Sequence, residues 1–249
     1  MYKKVLDRYL RWITENYDTE NPKIQEKIEH TNAVLKVATY IATKEKLSAE
    51  DILIAQVTAI VHDCARFMQI ELYDSFRDSP EFNHATKGAK MLRNGLLEQF
   101  FPETREFDDI IITAVELHSS LDLPDDLWPR VLKHCNLLRD ADKLDLYNMC
   151  IRRFDILFWG ELGEPNLSPI VKTLFEQRKP ISFSALKGQL DLLALRIGFI
   201  CHLKNKSALS YVKKKNFVNR LIDKFAKKRP FYNQEDVEWI RTTALTFFE

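Results

Sequence analysis

The stretch ILIAQVTAIVHDCARF, residues 52–67, begins as an apolar helical run and then places two polar, metal-competent side chains, His62 and Asp63, where a chain building only a core would stay apolar. Ser48 to Asp51 supplies a capping-box-like start for this helix. A carboxylate buried without a partner is costly, so the pair needs compensation from elsewhere in the chain.

Working outward from this run, the pattern is helical almost throughout. Val5, Leu6, Tyr9, Leu10 and Ile13 recur at helical spacing, and Asn21-Pro22 offers a cap and a first-turn proline for a long helix to about residue 46. FMQIELYDSFRDSPEFN, residues 67–83, reads as irregular. Helices are then expected around HATKGAKMLRNGLLEQF, FDDIIITAVELHSS and DDLWPRVLKHCNLLRDADKLDLYNMCIRRF. WGELGEPNLSP, residues 159–169, separates these from a second helical part that opens with Ser168 as cap and Pro169 in the first turn. No segment alternates with period two between hairpin turns, and six glycines are few for an all-β chain. The expectation is an all-α protein, with one helical domain over 1–249, a metal-binding core over 22–150 and a C-terminal helical extension over 151–249 packed on it.

Composition narrows the class. In 249 residues, 45% apolar and 29% charged side chains with a net charge of +1 describe a globular chain rather than a disordered one. The N-terminus is amphipathic and lacks the apolar run of a signal peptide, and no later run reaches membrane-spanning length, which predicts a cytoplasmic protein without a membrane partner. Cys64, Cys135, Cys150 and Cys201 show no C-x-x-C pairing, as expected for reduced thiols. Any bound metal must therefore be held by His and Asp.

The histidines fall on the faces that should be buried. His30 precedes Val34, Val37 and Ile41 by four, seven and eleven positions, and His118 follows Ile111 and Val115 by seven and three. Asp142 lies four after Leu138 and four before Leu146, and His84 precedes Gly88 and Met91 in the same manner. Singly, each is more often a hydrogen-bonded core residue than a ligand. His134 and His202 are read as structural or surface residues.

Taken in order, His30, His62-Asp63, His84, His118 and Asp142 resemble the HD superfamily of metal-dependent phosphohydrolases, in its two-metal form. The likeness covers roughly residues 24–150. VHDCARF, SFRDSPEFNHATKGAKML and RDADKLD are similar to the flanks of the family's motifs. The resemblance implies an all-helical fold with ligands converging on one pocket, where His30, His62, Asp63 and Asp142 hold a first divalent ion and His84 and His118 complete a second. Asp63 would bridge the two. Fe, Mn, Zn, Co, Ni or Mg would serve, in one or two copies, with Asp140 and Asp145 either orienting ligands or facing solvent.

The activity so implied is hydrolysis of a small phosphorylated substrate, a phosphomonoester, nucleotide or phosphodiester, by metal-activated water. Asp63 and Arg66 are the catalytic residues expected; Arg66, Lys87 and Lys143 are the candidates for binding substrate. Arg66 lies three after Asp63, so a helix continuing another turn would point it along the same wall. Two other readings stay open: a di-iron oxygenase, since the myo-inositol oxygenase type shares scaffold and ligands, and a metal-binding regulatory protein without turnover. The chain lacks the Gly-Tyr-Pro tripeptide of the HD-GYP phosphodiesterases. Residues 201–230 carry ten Lys or Arg against one acid, Asp223. That stretch is read as a solvated helix face before a nucleic-acid surface, and residues 98–128 are acid-rich. Oligomeric state is not fixed by any of these features.

Overall fold

The computed structural model describes residues 1–158 and 163–248. The chain folds as two compact units, residues 1–142 and residue 143 onward. Among the described residues there is no strand, only an isolated bridge between Gly163 and Gly188. The expected all-α class holds. Residues 159–162 of the Gly/Pro-bearing stretch lie outside the described residues.

The first unit is built around α3 (Ala49–Val61), which is buried on nearly every side from Ile54 to Val61. Such a helix needs cover all round. It is supplied by α1 (Tyr2–Asn16), α2 (Pro22–Lys44) and α7 (Asp108–Leu117). The caps follow the sequence: Asn21 accepts from the Lys23 N–H at 2.9 Å with Pro22 in the first turn, and Ser48 accepts from the Asp51 N–H at 3.0 Å. α1 seals one side through Tyr9, whose ring meets those of Phe100 and Phe67 at 5.2 and 6.1 Å.

The structure corrects the reading of residues 67–83 as irregular. A helix, α4 (Cys64–Tyr73), covers the first half, with Asp63 as N-cap and Cys64, Ala65, Phe67 and Ile70 buried. Only residues 74–83 lack regular structure. α5 (His84–Met91) then starts from an Asn83 cap and runs through a π-turn, kinked at Gly95 with φ 103°, into the short α6 (Leu97–Phe100). The expected single helix is thus broken where a residue with positive φ is needed. α5 packs against α4 and α7, and a Cβ at Gly88 would stand 3.3 Å from Cys64 Sγ. That glycine lets α5 approach the start of α4 closely. α8 (Pro129–Arg152) brings Asp142 at the end of the unit.

The second unit holds the rest of α8 and α9 (Phe154–Leu157), α10 (Pro169–Glu176), α11 (Gln189–Gly198), α12 (Lys206–Lys215), α13 (Phe217–Lys228) and α14 (Gln234–Leu245). Its core contains Tyr147, Phe154, Phe158, Phe175, Phe217 and Phe225. Ser168 does precede Pro169 at the head of α10, but its hydroxyl does not cap; it donates to Asp191 at 2.9 Å, and the same buried carboxylate accepts from the Ser168 and Lys187 amides at 2.8 Å. No described helix is long and apolar enough to cross a membrane.

Candidate metal centre

His62 and Asp63 occupy the corner between two helices. His62 ends α3, and Asp63 opens α4 with φ −103° and ψ 20°, a bridge-region conformation recurrent at functional sites. The break lets adjacent side chains leave the backbone in different directions toward one buried space. α2 brings His30, α5 brings His84 at its first residue, His118 caps the C-terminus of α7, and Asp142 comes from α8. The four histidines and Asp63 are at most 5% exposed.

Asp63 divides its two oxygens between two pairs of imidazoles. Oδ2 lies 3.6 Å from Nε2 of both His30 and His62, and Oδ1 lies 3.6 and 3.8 Å from Nε2 of His84 and His118. Asp142 Oδ1 joins the first group, 3.2 Å from His30 Nε2. The donor atoms of His30, His62 and Asp63, and those of Asp63, His84 and His118, are each close enough to hold one ion.

Hydrogen bonds on the far side of the rings decide which nitrogen faces inward. Nδ1 of His62 donates to Ala59 O at 2.9 Å, Nδ1 of His118 to Val115 O at 2.6 Å, and Nδ1 of His84 to Asp78 Oδ2 at 2.7 Å. Carbonyl and carboxylate oxygens only accept, so these protons sit on Nδ1 and the Nε2 lone pairs point into the pocket. Yet Nε2 of His84 and His118 are 3.0 Å apart, and those of His62 and His30 are 3.3 Å apart. In the His84–His118 pair two lone pairs stand at hydrogen-bond distance with no proton between them and repel; a cation between them would convert repulsion into coordination.

Electrostatics favours the ligand-ready forms. Burial, the dominant cause, pulls His84 and His118 down to about 4 and lowers His62, so all three are neutral near pH 7. Burial alone would raise Asp63, but the charge of Lys27, with His62, Arg66 and His84, outweighs it and holds the carboxyl well below its usual range. Asp142 is likewise depressed, burial being overcome by the His30 hydrogen bond and charge. The cluster is charged negatively at two carboxylates and lined with nitrogen lone pairs.

The other sequence-predicted residues fall differently. Arg66 lies against the cluster, 3.6 Å from Asp63 Oδ1 through Nε, although the helix does not continue but restarts. Its Nη1 donates to Gln69 Oε1 and Phe76 O at 2.6 Å and to Asp78 Oδ1 at 3.1 Å, and its Nη2 lies 3.2 Å from His84 Nε2. Only the buried Nε has no hydrogen-bond acceptor. Lys87 is half-buried one turn after His84 and makes no hydrogen bond or ion pair to the cluster among the described residues. Lys143 opens the second unit. Asp140 and Asp145 are fully buried, which removes the solvent reading for both. His134 donates to Asp51 at 3.1 Å, a structural role.

Two residues escaped the sequence reading. Asp78, in the loop after α4, accepts from His84 Nδ1, from Arg66, from Gln69 Nε2 at 3.1 Å and from the His84 amide at 3.3 Å. Its place six residues before His84, inside SFRDSPEFNHATKGAKML, was the available signal. Lys27, three before His30 on α2, bonds to Asp63 Oδ2 at 2.7 Å.

Comparison with known families identifies the family of the chain. The family model of the HD domain matches residues 28–159, more than half of the chain, and spans every residue of the cluster. The chain belongs to the HD-domain family, a superfamily of metal-dependent phosphohydrolases that bind divalent metals. No curated protein and no solved structure matches the chain significantly.

Proposed function

We propose that the protein is a metal-dependent phosphohydrolase that cleaves a phosphomonoester, nucleotide or phosphodiester with water as the nucleophile. The observation that carries this reading is the division of the Asp63 oxygens between two imidazole pairs, with the Nε2 lone pairs of His62, His84 and His118 turned inward. His30, His62, Asp63 and Asp142 would hold one ion, and Asp63, His84 and His118 a second. The donor set is nitrogen and carboxylate oxygen without thiolate, which suits Mn, Fe, Co, Ni, Zn or Mg. Bound there, divalent ions would acidify water and polarise a phosphoryl oxygen.

The side chains of the chain do the rest. Asp63 fixes the spacing between the two groups, and Asp78 holds the His84 ring with its lone pair inward. Arg66 keeps a positive charge at the Asp63 side of the pocket, its Nε 3.6 Å from Asp63 Oδ1, where it would balance the charge of a bound phosphoryl group. Lys87 and Lys143 are further candidates for substrate contact.

A screen of phosphorylated metabolites with Mn, Co, Ni or Mg tests the reading by release of phosphate or nucleoside. Asp63→Ala should lose both metal retention and turnover; a fully active variant would sink the assignment. Metal analysis and the optical spectrum under air separate the oxygenase alternative, which would show two irons and substrate-dependent O₂ uptake.

A further inference from the structure

Lys27 is a cation already seated on the carboxylate at the centre of the cluster. Three positions before His30, it shares that residue's face of α2. Its Nζ lies 2.7 Å from Asp63 Oδ2, the oxygen facing His30 and His62, and 5.0 Å from the centre of the Phe76 ring. The side chain is only 12% exposed. An ammonium withdrawn so far from water is held by what replaces the water, here one carboxylate oxygen and one aromatic face.

That oxygen is also the one a divalent ion between His30 and His62 would use. Two positive centres competing for one oxygen at such distances repel strongly in a site with little water. The lysine can yield: its four-carbon stem is flexible, and the face of Phe76 gives its ammonium a second resting place. Arg66 has no such freedom, because its terminal nitrogens are committed to Gln69, Phe76, Asp78 and His84.

We propose that Lys27 is the displaceable cation of this pocket, neutralising Asp63 until a divalent ion takes Oδ2 and then turning to donate to an anionic oxygen of the phosphorylated substrate. The substrate half of this proposal rests on the phosphohydrolase reading.

The test uses the full-length protein stripped of metal, wild type against Lys27→Met, with Mn²⁺ titrated calorimetrically and inorganic phosphate then titrated into the Mn-loaded forms. Without the competing charge, Lys27→Met should bind Mn²⁺ about tenfold tighter. Without the donor, its loaded form should bind phosphate about tenfold more weakly. Lys27→Gln removes the charge but keeps an amide donor, so it should match Met in tightening Mn²⁺ and lose phosphate affinity in smaller part, which covers the case of a Met variant that fails to fold. Unchanged or weaker Mn²⁺ binding overturns the proposal, and so does unchanged phosphate binding. Neither readout needs turnover. If the wild type hydrolyses no phosphoester yet the variant shows both shifts, the hydrolase reading falls and Lys27 stands as a displaceable cation that then donates to a bound phosphate.

Discussion

Asp78 shows how much of a candidate metal site lies outside the residues that would hold the ion. It bonds to the ring of His84 at 2.7 Å and to the guanidinium of Arg66 at 3.1 Å, so one carboxylate sets both the lone pair and the charge on that side of the pocket. Loss of such a partner costs about 10–100-fold in metal affinity. Asp78→Ala should therefore weaken Mn²⁺ retention on the His84 and His118 side by that order and leave the His30 side bound, a fall in stoichiometry from two to one by equilibrium dialysis. Retention of both ions would remove the orienting role. The six ligand candidates were legible because their types and order repeat a family pattern on apolar helix faces. Lys27 and Asp78 were not, since a lysine on a helix and an acid in a loop are ordinary solvated residues until folding sets them against Asp63 and His84, each at 2.7 Å.

Among the elements, α3 carries a second buried polar contact at its other end. Asp51, at its first turn, accepts from His134 on α8 at 3.1 Å and from Arg130 Nε at 2.9 Å. Burial lowers His134 below the ordinary histidine value; Asp51, raised by burial but pulled down more by the hydrogen bonds from His134 and Arg130, sits below the usual carboxylate range. Both folded values are depressed, so the stability they contribute is whole above the unfolded values, about 6.5 and 3.9, and is lost as pH falls. The thermal midpoint should drop on acidification from about pH 6.5. His134→Gln keeps a donor for Asp51 without a titrating ring, so its midpoint should fall less steeply between about pH 6.5 and 5. Because the cluster histidines titrate alike in both proteins, equal slopes would exclude His134 as a contributor. Of the elements, α4 was the one the sequence concealed. Its N-cap is Asp63, a residue that reads as a ligand, and its buried positions Cys64, Ala65, Phe67 and Ile70 are too few to mark a face beside the loop-like DSFRDSPEFN that follows.

For the whole molecule, the free energy of folding should depend on metal. A ligand that binds only the folded state adds about 2.7 kcal/mol at a hundredfold excess over its dissociation constant. Addition of Mn²⁺ to the stripped protein should raise its thermal midpoint, and a chelator should reverse the rise; in Asp63→Ala the midpoint should not respond. A midpoint indifferent to Mn²⁺ in the wild type would argue against an ion in the folded pocket. Helical class was readable end to end from periodicity and the scarcity of turn residues. The partition at residue 142 was not, because α8 runs unbroken through it and no composition shift marks the place.

The interruption between Val61 and Cys64 has a consequence for how such a site could diversify. A continuous helix would lock residues 62, 63 and 66 into one angular phase, so any turn of residue 66 would drag 62 and 63 with it. Here α3 and α4 are phased independently, with only His62 and Asp63 at the joint. Repacking around Phe67, Gln69 and Ile70 would turn α4 about this joint, carrying Arg66 and its contacts with it, while His62 stays pinned to the Ala59 carbonyl. The joint sets the phase of α4 apart from that of α3, so His62 keeps its place however α4 is turned.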